Sequence, residues 1–107
     1  MLQRMHYGES ANGRQIDAAL NEELEIVLPE TRTAGYSWVI KSTGEPVCQL
    51  LKETAEPSAS VGGTGRHHWQ FRVVASGIAK IKLHYLRPWE NSKEPARTFS
   101  LKVRVRS

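Results

Sequence analysis

The chain of 107 residues is poor in cysteine and in aspartate. It has one cysteine, Cys48, so no internal disulfide can form and the fold must depend on packing alone. Cys48 lies among apolar neighbours in PVCQLL, which is typical of a small buried side chain and not of a reactive thiol. Asp17 is the only aspartate, and no serine occupies a nucleophile-elbow context. These absences argue against a hydrolytic enzyme.

Long apolar runs are missing as well. No run approaches the roughly 20 residues that span a bilayer, and the start MLQRMHYGES lacks the apolar segment of a signal peptide. We therefore expect a soluble chain with no membrane partner, and the sequence assigns no compartment. A hydrophobic content of 39% suffices for one compact core, which predicts one folded domain, and we expect it to act as a monomer.

Alternation of apolar and polar residues is the strongest structural signal in the sequence. In FSLKVRVRS every second side chain is apolar from Phe99 to Val105, which is the period of a strand with one buried face. The same period runs through residues 36–40, 69–73 and 81–85, and it places Trp38 and Trp69 in the core. These segments are separated by clusters of Gly, Pro and Ser, so the pattern indicates an all-β sandwich or barrel.

Other parts of the chain are less clearly patterned. Residues 16–28, IDAALNEELEIVL, fit a helical stripe, but NEE can turn the chain and LEIVL before Pro29 also fits a strand. Residues 46–53 suit a strand, and residues 54–65 lack apolar periodicity. Residues 1–14 are expected to be loose because they offer little to bury, which leaves residues 15–107 as the folded domain.

Three loops between the alternating segments carry more side chains than a turn requires. The first is TRTAGY, with Thr31, Arg32, Thr33, Ala34, Gly35 and Tyr36, and Trp38 follows it. The second is GGTG, with Gly62, Gly63, Thr64 and Gly65, and Trp69 follows it. The third is RPW, with Arg87, Pro88 and Trp89. Below, residues 31–36, 62–65 and 87–89 are called the first, second and third loops.

In this order, the three loops resemble those of the chagasin family of inhibitors of papain-like cysteine peptidases. That family carries an Asn-Pro-Thr-Thr-Gly-Tyr loop followed by Trp, a Gly-Gly-x-Gly loop and an Arg-Pro-Trp loop. The second and third loops match fully. The first departs at Thr31, Arg32 and Ala34, and the loss of the proline leaves that loop less preorganised for binding. The resemblance extends from about Gln15 to Val105. It predicts that residues 16–28 form strands and not a helix.

The resemblance implies an immunoglobulin-like antiparallel β-sandwich of about seven to eight strands, with the three loops together at one end. It implies blockade of the peptidase cleft without chemistry or cofactor. The hydroxyl that the family directs toward the catalytic centre corresponds to Thr33. The glycines would let the main chain pair with the peptidase, and Trp89 would offer a large rigid surface. Tyr36 is expected nearer the base of its loop than the tip.

Rival functions rest on single features of the sequence. His67 and His68 are adjacent on a predicted strand and would point to opposite faces, which argues against a shared metal ion. Residues 80–82 and 102–106 would form a basic stripe if their two strands are neighbours. The stripe would suit nucleic acid or another acidic partner. Its members are Lys80, Lys82, Lys102, Arg104 and Arg106. The stripe lacks interleaved aromatic residues, so a solvated face is the simpler interpretation. Carbohydrate binding through Trp89 and Tyr36 has only fold analogy behind it.

Overall fold

The computed structural model describes residues 4–31, 35–58, 63–87, 89 and 94–106, in which eight strands account for most of the chain. The strands are β1 Arg4–Tyr7, β2 Arg14–Ala18, β3 Glu23–Glu30, β4 Ser37–Thr43, β5 Cys48–Glu56, β6 Gly65–Val73, β7 Gly77–Leu86 and β8 Arg97–Val105. The one helical element among these residues is a single 3-10 turn, Glu9–Ala11, so none of them forms a helix of the length and hydropathy that a bilayer crossing requires. The predicted all-β fold is confirmed.

Two four-stranded sheets make up the sandwich. The first sheet has the order β1-β3-β6-β5 and the second has the order β2-β8-β7-β4. Most neighbouring strands are antiparallel, as expected, but the pairs β1–β3 and β2–β8 are parallel. The parallel pairs arise because the N-terminal stretch of chain lies along an edge of each sheet in turn, with a 3-10 turn between the two.

The N-terminal segment is more ordered than its composition suggests. Residues 4–7 form β1 and pair with β3, with Met5 opposite Leu24 and Tyr7 opposite Ile26. Further along, Ala11 is buried, and the Asn12 side chain accepts a hydrogen bond from the Ser100 N–H at 2.9 Å. The expectation of a loose segment therefore fails for these residues, because edge pairing uses backbone groups and needs few apolar side chains.

Residues 16–28 are strand and turn, which settles the ambiguity between helix and strand. β2 ends at Ala18, the chain reverses around Asn21 at a φ of 71°, and β3 begins at Glu23. The Asn21 N–H donates to the Val73 carbonyl at 2.9 Å, which ties the turn to the end of β6. The ladders to β8 and β6 outweigh the helical propensity of this stretch.

The core lies between the two sheets and is formed by the inward-facing residue of each alternating pair. Trp69 is fully buried and Trp38 nearly so, as predicted from their phase, and Cys48 is buried as expected. The largest fully buried side chains are Trp69, Phe71, Leu24, Ile26, Leu28, Ile81, Leu83 and Leu101. This packed centre gives the loops at the ends of the sandwich a rigid frame.

Candidate functional site

The register of the strands brings the stems of all three loops to one end of the sandwich. Glu30, just before the first loop, is paired with Gly65, which closes the second loop. Ser37, just after the first loop, is paired with Leu86, which precedes the third. The convergence therefore follows from the backbone ladders. Side-chain contacts between the loops join them further.

The Tyr85 hydroxyl fixes the start of the first loop through two hydrogen bonds. The Thr31 N–H donates to Tyr85 Oη at 3.1 Å, and the same hydroxyl donates to the Thr31 carbonyl at 3.3 Å. One side chain thus satisfies both backbone groups of Thr31. Some of the residues predicted for the site lie outside the described residues, namely Arg32, Thr33, Ala34, Gly62 and Pro88.

The second loop touches the first through a pair of threonines. The hydroxyl oxygens of Thr31 and Thr64 lie 3.2 Å apart, within hydrogen-bonding distance. Gly63 is half-buried, and Gly65 lies so close to β5 that a Cβ there would overlap the carbonyl oxygen of Glu56. Only glycine permits this approach of two backbones, which explains its position at the base of the loop.

The third loop packs against the first at two points. The Arg87 guanidinium carbon lies 4.6 Å from the centre of the Tyr36 ring, and that ring stacks on Tyr85 at 5.3 Å. The Trp89 indole lies over Gly35, so closely that a Cβ on Gly35 would overlap the ring. Trp89 remains 69% exposed, as predicted, and Tyr36 is half-buried near the loop base, also as predicted.

A buried polar cluster lies beneath the loops. Glu30 Oε2 accepts the Trp38 N–H at 2.8 Å and lies 2.9 Å from His67 Nδ1. His67 Nε2 lies 2.7 Å from Glu53 Oε2, and the Trp38 indole N–H donates to the Pro29 carbonyl at 2.9 Å. Glu30 and His67 are both buried, so the contacts of Glu30 with His67 and with the Trp38 N–H are shielded from water.

Glu30 and His67 were not predicted from the sequence as supporting residues. The signal was nonetheless present, because Glu30 is in phase with Leu28 and His67 is in phase with Trp69, the positions that face the core. A polar residue at an inward position predicts a hydrogen-bonded partner. His67 stacks on Trp69 at 4.1 Å, and His68 lies on the other face of β6, which confirms that the two histidines point in opposite directions.

Cys48 takes no part in this site. It begins β5 opposite Val73, at the other end of the sandwich from the loops. Burial raises the pKa of its thiol to about 11, so it is protonated and shielded at neutral pH. Within the three loops, the exposed residues among those that the structure describes are Thr64 and Trp89. Such an arrangement presents a shaped surface for binding, and the buried Cys48 thiol cannot act there as a nucleophile.

The outer face of the second sheet carries the basic stripe. β7 and β8 are neighbours, as the hypothesis required, and Lys80 lies directly opposite Lys102. Arg104 is held by Asp17 with two hydrogen bonds of 2.8 and 3.3 Å. That ion pair holds the pKa of Asp17 below its usual value, through the hydrogen bond first and the charge of Arg104 next.

Comparison with known proteins agrees with the geometry. Residues 17–103 match the model of the chagasin family peptidase inhibitor I42. The chain is 36% identical to amoebiasin-1 of Entamoeba histolytica, over 94% of this chain and 99% of that protein. It is 26% identical to chagasin of Trypanosoma cruzi, over 88% of this chain and 91% of that one.

Solved structures show the same relationship. The crystal structure of the cysteine protease inhibitor EhICP2 from Entamoeba histolytica superposes with a TM-score of 0.84 at 29% identity, covering 96% of both chains. The family match spans most of the sequence, and the relatives are covered nearly end to end. The protein therefore belongs to the chagasin family of peptidase inhibitors, family I42.

Proposed function

We propose that this protein is a reversible, tight-binding inhibitor of papain-like cysteine peptidases, and that its three loops occupy the active-site cleft of the target. The observation that carries the proposal is the contact of the first loop with both others, at Thr31–Thr64 and at Gly35–Trp89. The relatives agree, since EhICP2 is described as a cysteine protease inhibitor. We assign the activity to the domain of residues 15–107, with β1 bracing its edge.

The mechanism is obstruction of the cleft without chemistry. A loop that enters a peptidase cleft escapes cleavage when its bonds are held away from the attack geometry, which requires a stiff loop on a rigid frame. The first loop would lie over the catalytic cysteine, with Thr33 nearest to it. The second loop would pair through its backbone, since Gly62 and Gly63 carry no side chain that would keep the peptidase main chain away. Arg87 and Trp89 would contact the other side of the cleft.

Titration of papain and of a cathepsin-like peptidase tests this function directly. We expect activity to fall to zero at a stoichiometric end point, to return on dilution, and to leave the inhibitor uncleaved. Trypsin, a serine peptidase, provides the control and should remain active. Full activity of both cysteine peptidases in micromolar protein would refute the proposal and leave only the fold.

The basic stripe supports a second candidate function, sequence-independent binding of nucleic acid. Lys80 and Lys102 are opposite each other across the β7–β8 ladder, an arrangement that destabilises a sheet unless an anion neutralises it. Lys82, Lys102 and Arg106 are exposed, and of the carboxylates described by the structure only Asp17 forms an ion pair with the stripe. Phosphate contacts of this kind carry affinity and no base specificity.

Retention on immobilised duplex DNA tests the second candidate. Binding that weakens linearly with the logarithm of salt concentration, and that is lost in a Lys80→Glu/Lys102→Glu variant, would support it. The same variant should inhibit papain as the wild type does, because both lysines lie on the sheet face and not in the loops. An absence of retention at low salt would leave the stripe as a solvated face.

A further inference from the structure

The first loop has an unusual stem because it joins the two sheets. β3 belongs to the first sheet and β4 to the second, so no backbone ladder runs between Glu30 and Ser37. In a β-hairpin the paired strands themselves close the loop. Here the closure must come from side chains. The sequence of residues 31–36 contains no proline to fix the backbone internally.

Glu30 and Trp38 provide that closure. The Glu30 carboxylate precedes the loop and accepts the Trp38 N–H, which follows it, at 2.8 Å. In the reverse direction the Trp38 indole N–H donates to the Pro29 carbonyl at 2.9 Å. The two bonds bridge the ends of the loop in opposite directions. Glu30 and the Trp38 N–H form a buried hydrogen bond, so water competes little for it, and the indole bond to Pro29 is partly buried.

His67 orients the carboxylate that makes this bridge. Its Nδ1 lies 2.9 Å from the same Glu30 oxygen that accepts the Trp38 N–H, and its Nε2 lies 2.7 Å from Glu53 on the neighbouring strand. The imidazole is also held in plane against Trp69, with 6° between the rings. A buried carboxylate needs such partners, and they leave Glu30 little freedom to rotate.

We infer that Glu30, oriented by His67, is a positioning residue that holds the first loop in its binding-competent shape. The inference rests on the proposed function, since it concerns how the loop is prepared for the peptidase cleft. When only a fraction of molecules has the competent loop, the apparent affinity falls by that fraction. Loss of the bridge should therefore slow association. The contacts made in the complex, and with them the dissociation rate, should change less.

The experiment compares three variants in association and dissociation kinetics with papain. Glu30→Ala removes the bridge, and we expect its association rate to fall about tenfold or more. Glu30→Gln keeps an oxygen for the Trp38 N–H and should restore most of the rate. Val73→Ala is the matched control, because it creates a cavity in the core at the far end of β6, destabilising the fold without touching the loops.

A fourth variant separates packing from hydrogen bonding. His67→Phe keeps a ring on Trp69 but removes the contact with Glu30, so it too should slow association relative to Val73→Ala. Titration end points give the folded fraction of each sample. The rates can then be compared for folded protein alone. Equal association rates for Glu30→Ala and Val73→Ala would overturn the inference.

Amide hydrogen exchange gives a readout that does not depend on any peptidase. The Trp38 and Gly35 amides should exchange faster in Glu30→Ala than in Val73→Ala, because only the former opens the loop stem. If the wild-type protein fails to inhibit papain, the proposed function fails while this exchange pattern still tests the bridge. If inhibition holds and the two variants exchange alike, the bridge has no positioning role.

Discussion

The Trp89 indole of the third loop lies directly over Gly35 of the first loop. Gly35 adopts a φ of +82°, in the left-handed region, and the Trp89 indole covers the position where a side chain would begin. A Cβ built on Gly35 would lie 2.7 Å from Cζ2 of the indole, well inside the ~3.5 Å of an ordinary carbon contact. Glycine is therefore required here twice, for its backbone angle and for its lack of a side chain.

Gly35→Ala should weaken inhibition by about thirtyfold or more, the size expected when a hot-spot side chain is displaced. The new methyl group would push Trp89 off the first loop and separate the two loops. The measurement is the inhibition constant for papain, together with the free energy of unfolding in urea.

Gly13→Ala is the matched control for that substitution. Gly13 has a nearly identical φ of +80°, but no atom lies within 4 Å of its added Cβ. Both variants should lose about 1–2 kcal/mol of stability from the strained angle. Only Gly35→Ala should lose inhibition. Equal inhibition constants for the two variants would show that the indole contact does not matter.

Trp89→Ala should weaken inhibition by about 2 kcal/mol or more, or roughly thirtyfold, if the exposed indole enters the interface. Its stability should change little because the ring is 69% exposed. Ile78→Ala is a matched control, since Ile78 is 66% exposed but lies at the start of β7, away from the loops. An unchanged inhibition constant for Trp89→Ala would remove this residue from the proposed site.

Much of the fold was predictable because burial on one face imposes a period of two. The inward phase predicted Trp38, Trp69 and the β8 residues correctly. β1 was not predicted, because Met5 and Tyr7 alternate with polar residues over only four positions, RMHY, which is too short a run to establish the period of a strand. The spacing of apolar residues in 16–28 also fits a helix. The strands form instead because this stretch pairs with β8 and β6.

The sequence predicted the three loops of the candidate site but not the hydrogen bonds of Glu30 and His67 beneath them. The loops were identified from their motifs, and their convergence followed from the fold that the resemblance implied. The phase of Glu30 and His67 indicates that both face the core, but it does not show what each of them contacts. Their role depends on a partner brought close by the fold, and His67 meets Glu30 across 37 positions of sequence.

Cys48 should be unreactive in the folded protein. Its thiol is fully buried, and burial raises its pKa to about 11, so little thiolate forms at mildly alkaline pH. A disulfide reagent such as DTNB should label the native protein only slowly and the guanidinium-unfolded protein at once. Rapid stoichiometric labelling of the native form, with inhibition retained, would contradict the buried position of this residue.

Glu25 should make the protein sensitive to acid. Burial raises the pKa of this carboxyl, but a hydrogen bond from Gln70 and the proximity of His68 and His6 together bring it below its usual value of 4.5. Gln70 donates to Glu25 at 3.0 Å, and His6 lies 3.1 Å away on β1. A depressed pKa in the folded state means that the ionised carboxylate stabilises the fold.

The sign of the pH dependence follows from that shift. The contribution of Glu25 is fully present above its unfolded pKa, near 4.5, and is lost as the pH falls from there through the lower folded value. Urea unfolding measured from neutral pH into acid should therefore show a falling free energy, and Glu25→Gln should flatten the fall. Asp17→Asn should flatten it less, because the Asp17–Arg104 pair is exposed and screened by solvent. Parallel curves for wild type and Glu25→Gln would show that this carboxylate does not cause the acid sensitivity.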